Sequence, residues 1–147
     1  MKSIFEEEAY HETLERVNQL NENTLGQWGK MSVGQMVWHC QVPLRTAIEN
    51  KKTTVKGNPL IRWFFKKSLY NDTPWRKNLP TAPMAKTKED KDFHTELETL
   101  KKLIHDVYQI RDRKVWNPHP LFGNFTREQW GQLQYKHLDH HLRQFGV

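Results

Sequence analysis

The sequence predicts an all-α protein, a four-helix bundle, and three observations carry that reading. Four segments repeat apolar residues at alternating steps of three and four, the period of a helix with one buried face. Three of those segments open on Ser or Thr with Glu or Gln three residues on, the pairing of a capping box. Strand signals are weak everywhere, and neither an internal repeat nor a low-complexity tract interrupts the pattern.

The first helix is expected from about Ser3 to Leu20, with Ser3 and Glu6 as the capping pair and Tyr10, Leu14 and Val17 as the stripe; Asn21, Asn23 and Gly26 break it. The second starts at Ser32 with Gln35 in the reciprocal position and is expected to end near Asn50. It carries Val33, Met36, Val37, Cys40, Leu44 and Ala47 on a wide apolar face. Within it Pro43 has no N–H, so the carbonyl of residue 39 loses its helical partner and a kink is expected around that turn. Between Asp90 and Ile110, the residues Phe93, Leu97, Leu100, Ile104 and Val107 form the clearest packing stripe of the chain. The fourth helix begins at Thr126, paired with Gln129, and stops at Gly146, a residue suited to a left-handed C-terminal cap.

The connection from Asn50 to Asp90 is about 40 residues long, against roughly 2 to 8 between antiparallel neighbours. It can run the length of the bundle and leave helices two and three parallel. Part of it is expected to be helical, because Asn58 and Pro59 suit the N-cap and first helical position ahead of Leu60, Ile61, Phe64 and Phe65. Burial of Trp63 or Phe64 would pack this crossover on the bundle, with most of Lys51, Lys52, Lys66, Lys67 and Lys77 left in solvent. The run NLPTAP, Asn78 to Pro83, reads as a stiff, extended loop.

A chain of 147 residues has the length of one ordinary domain and can bury a core without disulfides or a structural metal. Its hydrophobic fraction, 36%, is low, but six Trp and seven Phe add large buried area per residue and exclude disorder. Cys40 is the single cysteine and cannot form an internal disulfide. The N-terminal MKSIFEEEAYHE is acidic where a signal peptide needs a continuous apolar stretch. No apolar run approaches the roughly 18 residues that cross a bilayer, so a cytoplasmic protein without a membrane span is expected. The net charge of +6 is local: residues 51–90 hold ten Lys or Arg against three acids, and the remainder sums to −1. Such a segment attracts nucleic acid, an anionic surface or an acidic small molecule, and charge alone does not choose among them.

The chemistry concentrates in Trp130 to Val147, WGQLQYKHLDHHLRQFGV. His137 and His141 stand at i and i+4, so their rings share one helix face. A divalent metal ion needs at least one more protein ligand, and His39, in the middle of helix two, is the candidate. Three imidazoles leave positions open for water or substrate, which separates a catalytic site from a structural one. At about 100° per residue, His137 lies near the inward face of Trp130 and Leu133. His141 is the more inward of the adjacent pair, because Leu138, Leu142 and Phe145 fall on its side. His140 is then expected in the outer shell or at the surface, and Gln35 and Gln144 as outer hydrogen-bond partners. A lone histidine on an apolar face is more often a hydrogen-bonded core residue, and His39 sits only at the border of its face. The group of three favours the metal. His11, His94, His105 and His119 have no partner at metal-binding spacing.

Cys40 beside His39 is expected to be a small buried thiol, since consecutive helix residues point about 100° apart and no acidifying context is visible. No Ser-His-Asp ordering, phosphate-cradling Gly loop or paired-carboxylate motif appears, and the general base stays unassigned. Trp63, Phe64, Phe65 and Trp75 stand among basic residues and could stack the bases of a single strand. An amphipathic helix packed on the bundle explains the same residues.

Four segments carry a resemblance: WGKMSVGQMVWHC at Trp28 to Cys40, NLPTAP at Asn78 to Pro83, HPLFGNFTREQW at His119 to Trp130, and YKHLDHHLRQFGV at Tyr135 to Val147. In this order and spacing they resemble an uncharacterised bacterial branch of the DinB/YfiT-like superfamily, over nearly the whole chain. The resemblance implies an up-down-down-up four-helix bundle with one metal-ligating histidine from helix two and an H-x-x-x-H pair from helix four, here His39, His137 and His141. It implies zinc or nickel as the ion and, by likeness to thiol-dependent members, a low-molecular-weight thiol as co-substrate. The expected function is a metal-dependent thiol transferase or hydrolase acting on a small molecule, and dimers are common among relatives of this fold. Two other readings remain: a non-catalytic binding or stress-response module on the same bundle, and nucleic-acid binding through residues 51–77.

Overall fold

The computed structural model describes residues 1–54 and 59–147, with the backbone alone at residues 59, 61 and 64. Its elements are α1 (Glu7–Asn18), α2 (Val33–Glu49), α3 (Pro59–Lys66), α4 (Phe93–Gln109) and α5 (Arg127–Gln144), with 3₁₀ turns at Lys67–Leu69 and Pro83–Ala85. No β-strand forms among the described residues. The four long helices are the four expected from the sequence. Both Ser32 and Thr126 close complete capping boxes with Gln35 and Gln129. α2 continues unbroken through Pro43 to Asn50, which is left-handed at φ 45. At the end of α5, Gly146 takes φ 80; its N–H reaches the Arg143 carbonyl and that of Val147 the Leu142 carbonyl, a Schellman closure.

One boundary differs. α1 begins at Glu7 and not at Ser3, because Ser3 and Glu6 form a tight turn ahead of the helix: the Glu6 N–H reaches the Ser3 carbonyl at 2.9 Å. That turn buries Ile4 and Phe5 against the start of α5, where the Ile4 N–H donates to the Gly131 carbonyl at 3.1 Å. Burial of two apolar side chains outweighs one more helical turn.

Cross-links between helices give their directions. Ile4 meets Gly131 near the starts of α1 and α5, and Arg16 reaches Asp139 and the Val147 carbonyl near their ends, both at 2.9 Å, so these two run parallel. The Gln35 amide donates to the Glu89 carbonyl at 3.2 Å near the start of α2 and ahead of α4, and Arg113 donates to the Ala47 and Ile48 carbonyls at 2.8 and 3.0 Å near the end of α2 and beyond that of α4. These two are parallel as well. Glu22, beyond the end of α1, pairs with His94 at the start of α4. Trp28, ahead of α2, meets Gln144 at the end of α5. The order is therefore up-down-down-up, and the core lies between the helices around Met36, Leu44, Leu100, Ile104, Trp130 and Leu138.

Of Trp63 and Phe64, the two aromatics expected to pack the crossover on the bundle, only the Trp63 side chain is among the described residues. Trp63 is 73% exposed, and Leu60 and Phe65 are exposed too, so the visible aromatics of α3 do not enter the core; the Asn58 cap and the Ile61 and Phe64 side chains fall outside the described residues. Polar anchors join the packing of Leu69, Tyr70 and Trp75 on the core in holding the crossover. Lys136 of α5 donates to the Ser68 carbonyl and to the Asn71 carbonyl and side chain at 2.6–2.7 Å, and Trp75 Nε1 donates to the Ser68 carbonyl at 2.8 Å. Lys51, Lys52, Lys67 and Lys77 are exposed, whereas Lys66 is half-buried against the Asn124 carbonyl. Among the described residues, no helix is long and apolar enough to cross a membrane.

At the parallel pair α2 and α4, a Cβ on Gly34 would collide with the Lys91 carbonyl. Gly34→Ala is expected to destabilise the fold by about 1–3 kcal/mol, even though Ala favours a helix over Gly by about 1 kcal/mol. A lower denaturation midpoint with an unchanged m-value is the expected reading.

Candidate metal centre

Where α2 crosses α5, three imidazoles from two helices close on one another. Ring centroids are 4.9 Å apart for His39 and His137, 4.6 Å for His39 and His141, and 4.8 Å for His137 and His141. One ring nitrogen from each lies within 4.8 Å of the other two, and no carboxylate or thiol joins the group among the described residues. His39 Nε2 and His137 Nε2 are 3.0 Å apart.

Two carbonyl oxygens settle the tautomers of two rings. The Ala85 carbonyl can only accept and lies 2.8 Å from His39 Nδ1, so that nitrogen carries the proton and donates. Gln144 Nε2 donates to the Trp28 carbonyl at 2.7 Å, which turns the amide oxygen to His141 Nδ1 at 2.8 Å; that nitrogen donates in turn. A neutral imidazole protonated at Nδ1 has its lone pair at Nε2. His39 Nε2 is thus an acceptor, and His137 donates to it from Nε2. The other nitrogen of His137, Nδ1, is buried and has no hydrogen-bond partner among the described residues.

Burial is the leading cause that keeps the group uncharged. It lowers His39; it pushes His141 down to about 3, with a charge on His39 as the next contribution; and it takes His137 well below the ordinary range, helped by His141 and His39. All three are neutral at neutral pH, the form that ligates a metal.

Of the outer residues expected from the sequence, Gln144 stands against His141 and holds its tautomer. His140 is buried outside the group of three, packed against the rings of Trp28, Trp75 and His141 at 6.0, 5.6 and 5.0 Å. Gln35 is a correction. Its amide oxygen accepts from the Ser32 N–H at 3.1 Å and its nitrogen donates to the Glu89 carbonyl at 3.2 Å, so the capping box keeps it at the end of α2 and away from the imidazoles. Cys40 is buried against Met36 Sδ at 3.6 Å, and burial pushes its thiol pKa up.

Other participants were not legible in advance. Trp75, from the crossover, stands edge-on over His137 at 6.0 Å, and Lys136 lies beneath its ring at 5.8 Å. Ala85 and Trp28 act through backbone carbonyls, which leave no mark on residue type. The available cues were indirect: NLPTAP delivers the chain to Ala85, and Gly29 at φ 85 leaves room where a Cβ would lie 2.5 Å from Gln144 Nε2.

The model of a family described as a protein of unknown function (DUF1569) matches residues 4–146, and the chain belongs to that family. No curated protein and no solved structure matches it.

Acid should weaken the fold through these rings. His119, beside Phe122, Phe125 and Trp130, is pushed down to about 4 by burial, alongside the lowered His39, His137 and His141. Between those values and the ordinary 6.5 or so, the unfolded chain binds more protons than the folded one. Stability is therefore complete above about pH 6.5 and falls as pH drops through the lowered values. Denaturation midpoints at constant ionic strength should decline steadily from about pH 6.5 to 4; a rise on acidification would show that the rings take up protons inside the fold.

Proposed function

We propose that this member of the DUF1569 family holds one divalent metal ion, zinc or nickel, between His39, His137 and His141 and is a metal-dependent enzyme acting on a small molecule, as a thiol transferase or hydrolase. The observation that carries the reading is that two acceptors, the Ala85 carbonyl and the Trp28-oriented amide oxygen of Gln144, fix His39 and His141 from two helices with their lone pairs on Nε2. Nitrogens held about 2.0–2.1 Å from one ion are roughly 3.0–3.4 Å apart, and His39 Nε2 and His137 Nε2 stand at 3.0 Å. An all-imidazole donor set suits zinc and nickel. The likeness of the histidine motifs to DinB/YfiT-like proteins points the same way.

Such an ion lowers the pKa of a thiol or water beside it and so supplies a nucleophile at neutral pH. The chain's own residues do the rest. Ala85 and Gln144 keep the rings oriented, and Trp75 and Trp28 screen the histidine side of α5 from water. The basic residues of the crossover raise the local concentration of an acidic thiol or other anionic substrate.

One observation favours a different reading. Trp63 and Phe65 are exposed beside Arg62 and Lys67, an arrangement on which bases stack in single-strand binders. A steep fall in single-strand affinity with salt would make nucleic-acid binding the leading function.

Protein purified without an affinity tag for metal should carry close to one equivalent of ion. His137→Ala should lose both the metal and the turnover of electrophiles in the presence of low-molecular-weight thiols, while His140→Ala keeps most of both. Full metal with no turnover over a broad panel of thiols, electrophiles and hydrolysable esters would assign the bundle to a binding role. Unchanged metal in His137→Ala would refute the site.

A further inference from the structure

Four buried polar atoms on one face of α5 have no hydrogen-bond partner among the described residues: Trp130 Nε1, Gln134 Oε1, Gln134 Nε2 and His137 Nδ1. Their spacing of four and then three residues places them along a single line about 10 Å long. Trp130 is 2% exposed and Gln134 1%, so bulk water does not answer these groups. Each amide or ring group left so gives up its hydrogen bonds to water with no return. An aliphatic side chain at position 134 would avoid that cost, and the choice of Gln needs a reason.

The three histidines supply one. Each Nδ1 of the group needs a partner; His39 has the Ala85 carbonyl and His141 has Gln144. His137 has none, and the nearest unanswered polar group on its own face is Gln134, one turn back, on the side toward which helical side chains lean. We propose that Gln134 is the positioning residue of His137, joined to its Nδ1 through a buried water, and that a second water accepts from Gln134 Nε2 and Trp130 Nε1. The inference rests on the metal reading given above. A water-bridged amide differs from the other two partners in being able to donate as well as accept. While His137 donates from Nε2 to His39, its Nδ1 is bare and takes a hydrogen bond from the water. When Nε2 instead turns its lone pair to an ion, the ring passes to the Nδ1-protonated tautomer with no net change in protons, the one released to solvent from Nε2 being balanced by one taken from solvent at Nδ1; the water then accepts from Nδ1–H and donates to Gln134 Oε1. A carbonyl or carboxylate in direct contact with Nδ1 would serve only the second state. The residue type at 134 is thus matched to the one ring of the three whose tautomer has to change.

Cobalt(II) titration followed by visible absorption tests this in the intact protein, with Gln134→Leu and Gln134→Glu beside the wild type. Gln134→Leu should bind cobalt roughly 10- to 100-fold more weakly, while the denaturation midpoint of its metal-free form stays close to that of the wild type, because the apolar burial gained with Leu offsets the lost water-mediated hydrogen bonds. Gln134→Glu, which keeps an acceptor, should retain most of the affinity. In the metal-free protein the ¹⁵N resonance of His137 Nδ1 should move on Gln134→Leu. Wild-type cobalt affinity in folded Gln134→Leu, a lowered midpoint, or an unmoved His137 resonance would each overturn the role of Gln134. If the wild type takes up no cobalt, the metal reading falls, and the resonance alone decides whether Gln134 serves His137.

Discussion

The arrangement depends on one constraint: imidazoles enclosed between two packed helices must be neutral, and each buried N–H must find an acceptor. His39, His137 and His141 meet the first condition through burial itself, which lowers all three. The second draws in segments remote in sequence. Ala85 comes from a 3₁₀ turn late in the crossover, and Trp28 from the loop before α2, where it orients Gln144. A crossover 40 residues long is what allows a segment between α2 and α4 to return to the α2–α5 crossing. The parallel pairing of α2 with α4 and the composition of the site are therefore two results of one connection.

The bundle was largely legible from the chain because its determinants are local. Capping boxes at Ser32 and Thr126, the stripe from Phe93 to Val107 and the stop at Gly146 all act within one or two turns, and each element forms where those residues place it. The exceptions are tertiary. Ser3 and Glu6 have the residues of a capping box, yet the pull of Ile4 and Phe5 into the core makes them a turn instead. The aromatics of α3 have a helical period but expose Trp63, since the crossover is tied down by Lys136 through carbonyls that no pattern of side chains reveals.

The candidate site divides along the same line. His137 and His141 could be paired by spacing alone, and His39 followed from its place on α2. Gln144 lies one turn beyond His141 on the same helix and could be guessed. Gln35 stands one turn before His39 in the equivalent relation, but its amide is engaged by Ser32 and Glu89. Helix spacing says which side chains can meet, and a competing local bond decides whether they do. For Ala85, Trp28 and Trp75 there is no helical period to reason from, so their approach to the imidazoles becomes visible only in three dimensions.

How the crossover is attached bears on how a substrate would reach the imidazoles. Apolar burial holds α1, α2, α4 and α5 together, and the segment carrying Trp75 and Ala85 adds hydrogen bonds from Lys136 and Trp75 itself to the packing of Leu69, Tyr70 and Trp75 on the core. Hydrogen bonds of this kind exchange with water at a net difference of about 1 kcal/mol each, far less than the opening of a packed helix interface. A displacement of residues 68–85 would have to break these hydrogen bonds and the packing of Leu69, Tyr70 and Trp75 on the core. It would uncover His137 and His140 as Trp75 withdraws, and it would free His39 Nδ1 from Ala85, loosening one ring while His141 remains tied to Gln144 within α5. Access to the site and the orientation of His39 would thereby be coupled through one segment, whereas Gln144 holds His141 from within α5.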